Sequence, residues 1–222
     1  MRETWMGLCL VFLVTGCGSE SPAPVKELSQ IKPQKTNLVA AELFTGEMVE
    51  THYGIQSGSL KPEERSAKSS QCSYNWPKPN KEEIEAENQE KMMAYMKEMM
   101  EAQAKGEPVP KMPIVNTDNR VFFNFVSFGS SDQAASALQT IIEKMKEGIT
   151  AEHEGHSATF KINYDTPVEG IGESAIWSQS HRQLAVHQDH YLMYLTVETE
   201  SKAADDLEHA KSLMQSVLSA MP

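Results

Sequence analysis

The ten residues 119–128, NRVFFNFVSF, constrain the fold more than any other stretch of the chain. In an extended backbone Val121, Phe123 and Phe125 point to one side, while Phe122, Val126 and Phe128 point to the other. A strand apolar on both sides belongs in the middle of a sheet whose two faces are both covered. Such a strand needs neighbours beside it and helices above and below it.

The rest of the chain supplies both. Residues 202–220 read as a helix with the stripe Leu207, Ala210, Leu213, Met214, Val217, Leu218 and Met221. After Ser130 or Ser131 as a cap, Ala134, Leu138, Ile141, Ile142 and Met145 recur at spacings of three and four until Gly148. A shorter helix fits residues 46–53, capped by Thr45 and closed by Gly54. Strands are expected at 55–60, 70–76, 158–164, 174–178, 182–187 and 190–198, with Gln188-Asp189 as the turn of the last hairpin. Hairpins in sequence with helices set apart describe an α+β domain, mostly antiparallel. Between Pro77 and Pro113 a different segment intervenes, residues 80–106. It is dominated by Glu, Lys, Met and Ala, and Asn80 is a candidate cap. It reads as a methionine-rich helix inserted at about 79–113.

At the N-terminus Arg2 precedes an apolar run, Trp5 to Val14, which ends in Thr15-Gly16-Cys17. The run is shorter than the ~20 residues that span a bilayer and has the form of an export signal. Leu13-Val14-Thr15-Gly16-Cys17 resembles the lipobox of bacterial lipoproteins. The resemblance implies that residues 1–16 are removed and that Cys17 carries a diacylglycerol. It also implies sorting to the periplasmic face of the outer membrane, because Gly18 and Ser19 lack the aspartate that retains such proteins at the inner one. In a cell without an outer membrane, the anchor would lie in the cell membrane. Residues 17–36 are rich in Ser, Pro, Lys and Glu, a composition that reads as a flexible tether. One folded domain is expected over 37–222.

Three further landmarks lie within it. They are Cys72-Ser73-Tyr74-Asn75-Trp76, the turn Gly170-Ile171-Gly172-Glu173-Ser174-Ala175-Ile176-Trp177, and a hairpin followed by the last helix. Together they resemble a group of small bacterial lipoproteins with a PsbP-like fold, many of them uncharacterised. The resemblance covers residues 37–222 apart from the insertion, and implies an antiparallel sheet flanked by helices. Such domains often pair the strand cysteine with a second one near the first helix. None stands there in this chain, so Cys72 reads as a small buried hydrophobe.

Composition narrows the partners. Removing residues 1–16 takes away Arg2 and Glu3, one charge of each sign, so the net charge stays at −11. An acidic chain without a Lys/Arg cluster lacks the concentrated positive charge that nucleic acid rewards. Anionic head groups would also repel it, leaving the lipid as its attachment to a membrane.

Motifs for chemistry are sparse, and no cofactor is expected. Gly170-x-Gly172-x-x-Ala175 matches a dinucleotide fingerprint, but a strand rather than a helix follows it, so a tight turn is the better reading. His153-Glu154-Gly155-His156 is one residue short of H-E-x-x-H. His181, His187 and His190 cluster near a turn without acidic or thiol ligands at metal spacing and read as solvated side chains. The methionines of the insertion are sharper. One reading is a packing stripe of Ile84, Met92, Tyr95, Met96 and Met99, with Met93 and Met100 at its edge, serving as core or as an adaptable surface for an envelope protein partner. The other is a Cu(I) site built from the thioethers of Met92, Met96 and Met99. The sequence therefore points to a lipid-anchored, non-catalytic binding or accessory module, with periplasmic soft-metal binding as the alternative.

Overall fold

The computed structural model describes residues 33, 34, 36, 38–63, 70–108, 110, 115–153, 156–199 and 202–222, with backbone alone over 149–160. The export signal, Cys17, the tether as far as residue 32 and Met112 lie outside the described residues.

The doubly apolar strand is β2 (Asp118–Ser127), and it sits inside a sheet as its pattern requires. Its neighbours are β1 (Gln71–Pro77) and β8 (Tyr191–Glu198), both antiparallel to it. The sheet continues through β7 (Gln183–Gln188), β6 (Ser174–Ser178) and the two-residue β5 (Thr166–Pro167), giving the order β1-β2-β8-β7-β6-β5. Every pairing is antiparallel, and the fold is α+β. A separate hairpin pairs β3 (Ile149–His153) with β4 (His156–Phe160).

One face of the sheet carries the larger core. Val121, Phe123 and Phe125 are fully buried there beside Leu184, Val186, Met193, Leu195 and Trp177. Helix α5 (Ala203–Ala220) lays Ala210, Leu213, Met214 and Val217 onto them, with Leu207, Leu218 and Met221 at the margin. Helices α1 (Ala40–Leu43) and α2 (Gly46–Tyr53) close the same side with Phe44 and Val49. Thr45 Oγ1 accepts from Met48 N, and Gly54 takes the left-handed conformation that ends α2. Each fully buried Val, Leu or Phe side chain contributes about 1.5–3 kcal/mol. On the opposite face α4 (Ser131–Glu147) packs Ala134, Ala137 and Leu138 against Ala185, Leu192, Phe128 and Tyr164. Ser130 is its cap, accepting from Gln133 N.

Several expectations are corrected. Residues 55–60 form turns rather than a strand, because Glu50 at the end of α2 satisfies their backbone. Its carboxylate accepts from Gly58 N at 2.8 Å and Leu60 N at 2.6 Å. The strand expected at 158–164 ends at Phe160, starts at His156 and has a partner strand that the sequence did not announce. The last hairpin turns at Asp189-His190, with Gln188 opposite Tyr191 and Asp189 at φ 50°. Gln34, in the stretch read as tether, donates its N–H to Ser127 O at 2.7 Å and extends the sheet edge beyond β1.

Candidate functional site: the methionine helix and the polar clusters

The inserted segment is α3 (Lys81–Lys105), 25 residues and about 37 Å long. Glu82 and Glu83 in its first turn and Lys105 in its last complement the helix dipole, and Gly106 closes it in the left-handed conformation. Asn80 makes no side-chain cap, contrary to expectation. Ala102 is the only buried residue of α3. Ile84, Asn88, Met92, Tyr95 and Met99 are half-buried on the side toward the returning chain. There Asn88 exchanges two hydrogen bonds with the backbone of Val115, at 2.7 and 2.9 Å.

The methionines divide between two sides. Met92 and Met99 belong to the half-buried side, while Met93, Met96 and Met100 are 68 %, 47 % and 58 % exposed. Met96 therefore leaves the packing stripe in which the sequence reading placed it. Three of the four exposed large apolar side chains among the described residues lie in this one row, the fourth being Val115. Met92, Met96 and Met99, the proposed copper ligands, straddle the boundary between the sides.

One of the three histidines expected in solvent behaves otherwise. His187 is buried beneath the start of α4, where its Nε2 lies 3.1 Å from Ser131 Oγ and 2.9 Å from Asp189 O. Glu173 Oε2 stands 3.2 Å from the same hydroxyl and 3.8 Å from the same ring nitrogen. A serine, a histidine and a carboxylate thus come together, but the geometry does not activate the serine. A carbonyl oxygen only accepts, so Nε2 carries the proton it gives to Asp189 O. That nitrogen has no lone pair with which to draw the proton from Ser131, whose hydroxyl donates to Glu173 instead. The other carboxylate oxygen accepts from Asp189 N at 2.7 Å. The cluster staples three loops together. Gly172 belongs to the same device: at φ +59° it sits where an added Cβ would lie 2.6 Å from both His187 O and Val186 Cγ1. The Gly170-Ile171-Gly172 stretch is a tight turn that buries Ile171.

His181 lies on the surface, its Nδ1 2.9 Å from Ser180 Oγ, and His190 is paired with Asp189 at 2.9 Å. Of His153 and His156 the backbone shows that they face each other across the β3–β4 turn, in a hairpin rather than on a helix. A second polar meeting was missed entirely. His52 Nε2 on α2 lies 2.8 Å from His209 Nδ1 on α5, with the Tyr53 ring against both. Among the described residues no group of three or more His, Cys, Asp or Glu is placed to hold a metal. Cys72 is fully buried, with Sγ 3.6 Å from Phe44 O, and burial pushes its thiol up to about 12. It is a packing residue.

No family model matches the chain and no curated protein matches it. Among solved structures it is similar to the extracellular domain of PknH from Mycobacterium tuberculosis, at 11 % identity over 85 % of this chain and 98 % of that one. The TM-score is 0.35, too low for the likeness to carry an argument.

Proposed function

We propose that this protein is a lipid-anchored module of the cell envelope, held by Cys17 at the periplasmic face of the outer membrane, that binds a partner without catalysis. The working surface is the exposed row Met93, Met96 and Met100 of α3. The observation that carries this reading is the contrast within one helix: α3 buries only Ala102 and displays Met93, Met96 and Met100 to solvent. Unbranched thioether side chains adapt to the shape of an apolar partner, and scattered single exposures would carry no such meaning.

The test is to place charges in the row. Met93→Glu with Met100→Glu leaves the helix content unchanged by circular dichroism and removes a stoichiometric partner recovered by cross-linking in intact envelopes. Recovery of the same partner at the same yield by the variant sinks the reading.

Cu(I) binding is the alternative, favoured by the closeness of Met92, Met96 and Met99 on adjoining turns. Changing all three to leucine preserves helicity and abolishes Cu(I) binding on that reading. Purified protein that binds no Cu(I), or a triple variant that binds it undiminished, excludes it.

A further inference from the structure

The exposed row repeats with a seven-residue period, the spacing that faces a partner helix. Ala86, Met93 and Met100 stand seven residues apart, and so do Gln89, Met96 and Gln103. All six are exposed and none is charged. The six positions form a short seam of about two and a half heptads over about 27 Å of helix, methionine at its centre and Ala or Gln toward its ends. It lies on a different side of α3 from Asn88 and Ala102, which face the chain itself. One flank of the seam carries Glu90 and Lys97, and the other carries Glu85, Met92 and Met99. Lys91 pairs with Glu87 away from the seam. Glu90 and Lys97 make no ion pair among the described residues.

We propose that the seam binds a second copy of this chain, α3 against α3 in antiparallel orientation. The inference rests on the reading of α3 as the working surface. Flanking charges set orientation in helix pairs, and here they choose. A parallel pair would set Glu85 of one copy against Glu90 of the other. An antiparallel pair with Met93 opposite Met96 of the second copy sets Glu90 against the second copy's Lys97. Twofold symmetry makes that contact twice. The same alignment brings Met92 near Met99 of the second copy, so the centre of the interface is methionine alone. Ala86 meets Gln103 at each end, where the helices open to water. A single seam buries less than the ~1,600 Å² of a standard interface, so the free protein dimerises weakly and reversibly. Copies tethered to one membrane meet at higher effective concentration.

Sedimentation of the purified full-length chain at about 1–100 µM reads the dimer. Glu90→Lys alone and Lys97→Glu alone each raise Kd by about tenfold, since each sets like charges opposite. The double variant, Glu90→Lys with Lys97→Glu, returns to the parental Kd because the pairs are restored in reverse. A partner other than a second copy would not be regained by that swap. Three results overturn the proposal: a monomer throughout the range, a dimer indifferent to Met93→Ser with Met100→Ser, or single charge variants that the double variant fails to rescue. A monomer that still captures an envelope protein through the methionine row defeats self-pairing and leaves the working-surface reading intact. A monomer whose capture is indifferent to the row defeats both.

Discussion

Asp206 shows how much rests on single residues in this fold. It is wholly buried on α5, and its carboxylate accepts from Arg182 Nη1 at 2.6 Å, Thr199 N at 3.1 Å and Thr199 Oγ1 at 3.0 Å. Arg182 holds the left-handed conformation, φ 49°, at the start of β7, so one carboxylate ties that turn and the exit of β8 to the last helix. Removing Asp206 leaves Thr199 N without its acceptor and takes the carboxylate from Arg182, whose side chain is 29 % exposed. Asp206→Ala is expected to destabilise the protein by about 2–3 kcal/mol in urea unfolding. Asp206→Leu combined with Arg182→Met should recover part of that loss. A loss below about 1 kcal/mol in the single variant, the range of an exposed ion pair, would show that Asp206 is not buried in solution. Sequence reading does not find Asp206. An aspartate in the first turn of a helix is ordinary dipole chemistry, and only the turn at Arg182 makes it a strut.

At the level of elements, success follows how local the signal is. Helices α2 and α4 were legible because their apolar period, caps and terminal glycines are local signals, and α5 because of its apolar period alone. Strand β2 was legible because it is apolar on both faces. Residues 55–60 misled because Ile55 and Leu60 look strand-like, while the Glu50 carboxylate ten residues before Leu60 decides their backbone. His187 misled for a related reason: its burial depends on the N-terminus of α4, which reaches it through Ser131 from 56 residues away. The working side of α3 was half-legible. Its methionines were evident, but which of them face solvent depends on where the returning chain packs.

The contact between α2 and α5 carries a pH dependence at the same scale. Burial, then the neighbouring His209, hold the proton affinity of His52 below the ordinary histidine value. The unfolded chain therefore takes up a proton at His52 before the folded one does. Stability from this site is present above pH ~6.5 and declines as pH falls through that value toward the lower folded pKa. Ser212 Oγ at 3.4 Å offers no compensating charge. Solvent screening at this half-exposed site keeps the effect small, about 1–2 °C in Tm between pH 7.5 and 5.5. His52→Gln should flatten that part of the curve. An unchanged slope in the variant would place the titration elsewhere.

For the molecule as a whole, the question is what brings it to a surface. The net charge of −11 opposes an anionic membrane, and no helix among the described residues is long and apolar enough to cross one. The exposed methionine row lies on a helix that also carries seven glutamates, a poor partner for anionic lipid. If attachment comes through Cys17, it must come from acyl chains alone, at about 0.8 kcal/mol per buried CH₂. The fold closes without that residue: both cores, both helical layers and all six strands of the main sheet lie C-terminal to residue 37. Cys17→Ser is therefore expected to move the protein from the membrane pellet to the soluble envelope fraction. Its unfolding midpoint should stay within about 1 °C of the parent, since no packed residue changes. Retention of Cys17→Ser in the pellet would assign the attachment to a protein partner, and the methionine row would be the surface to test for it.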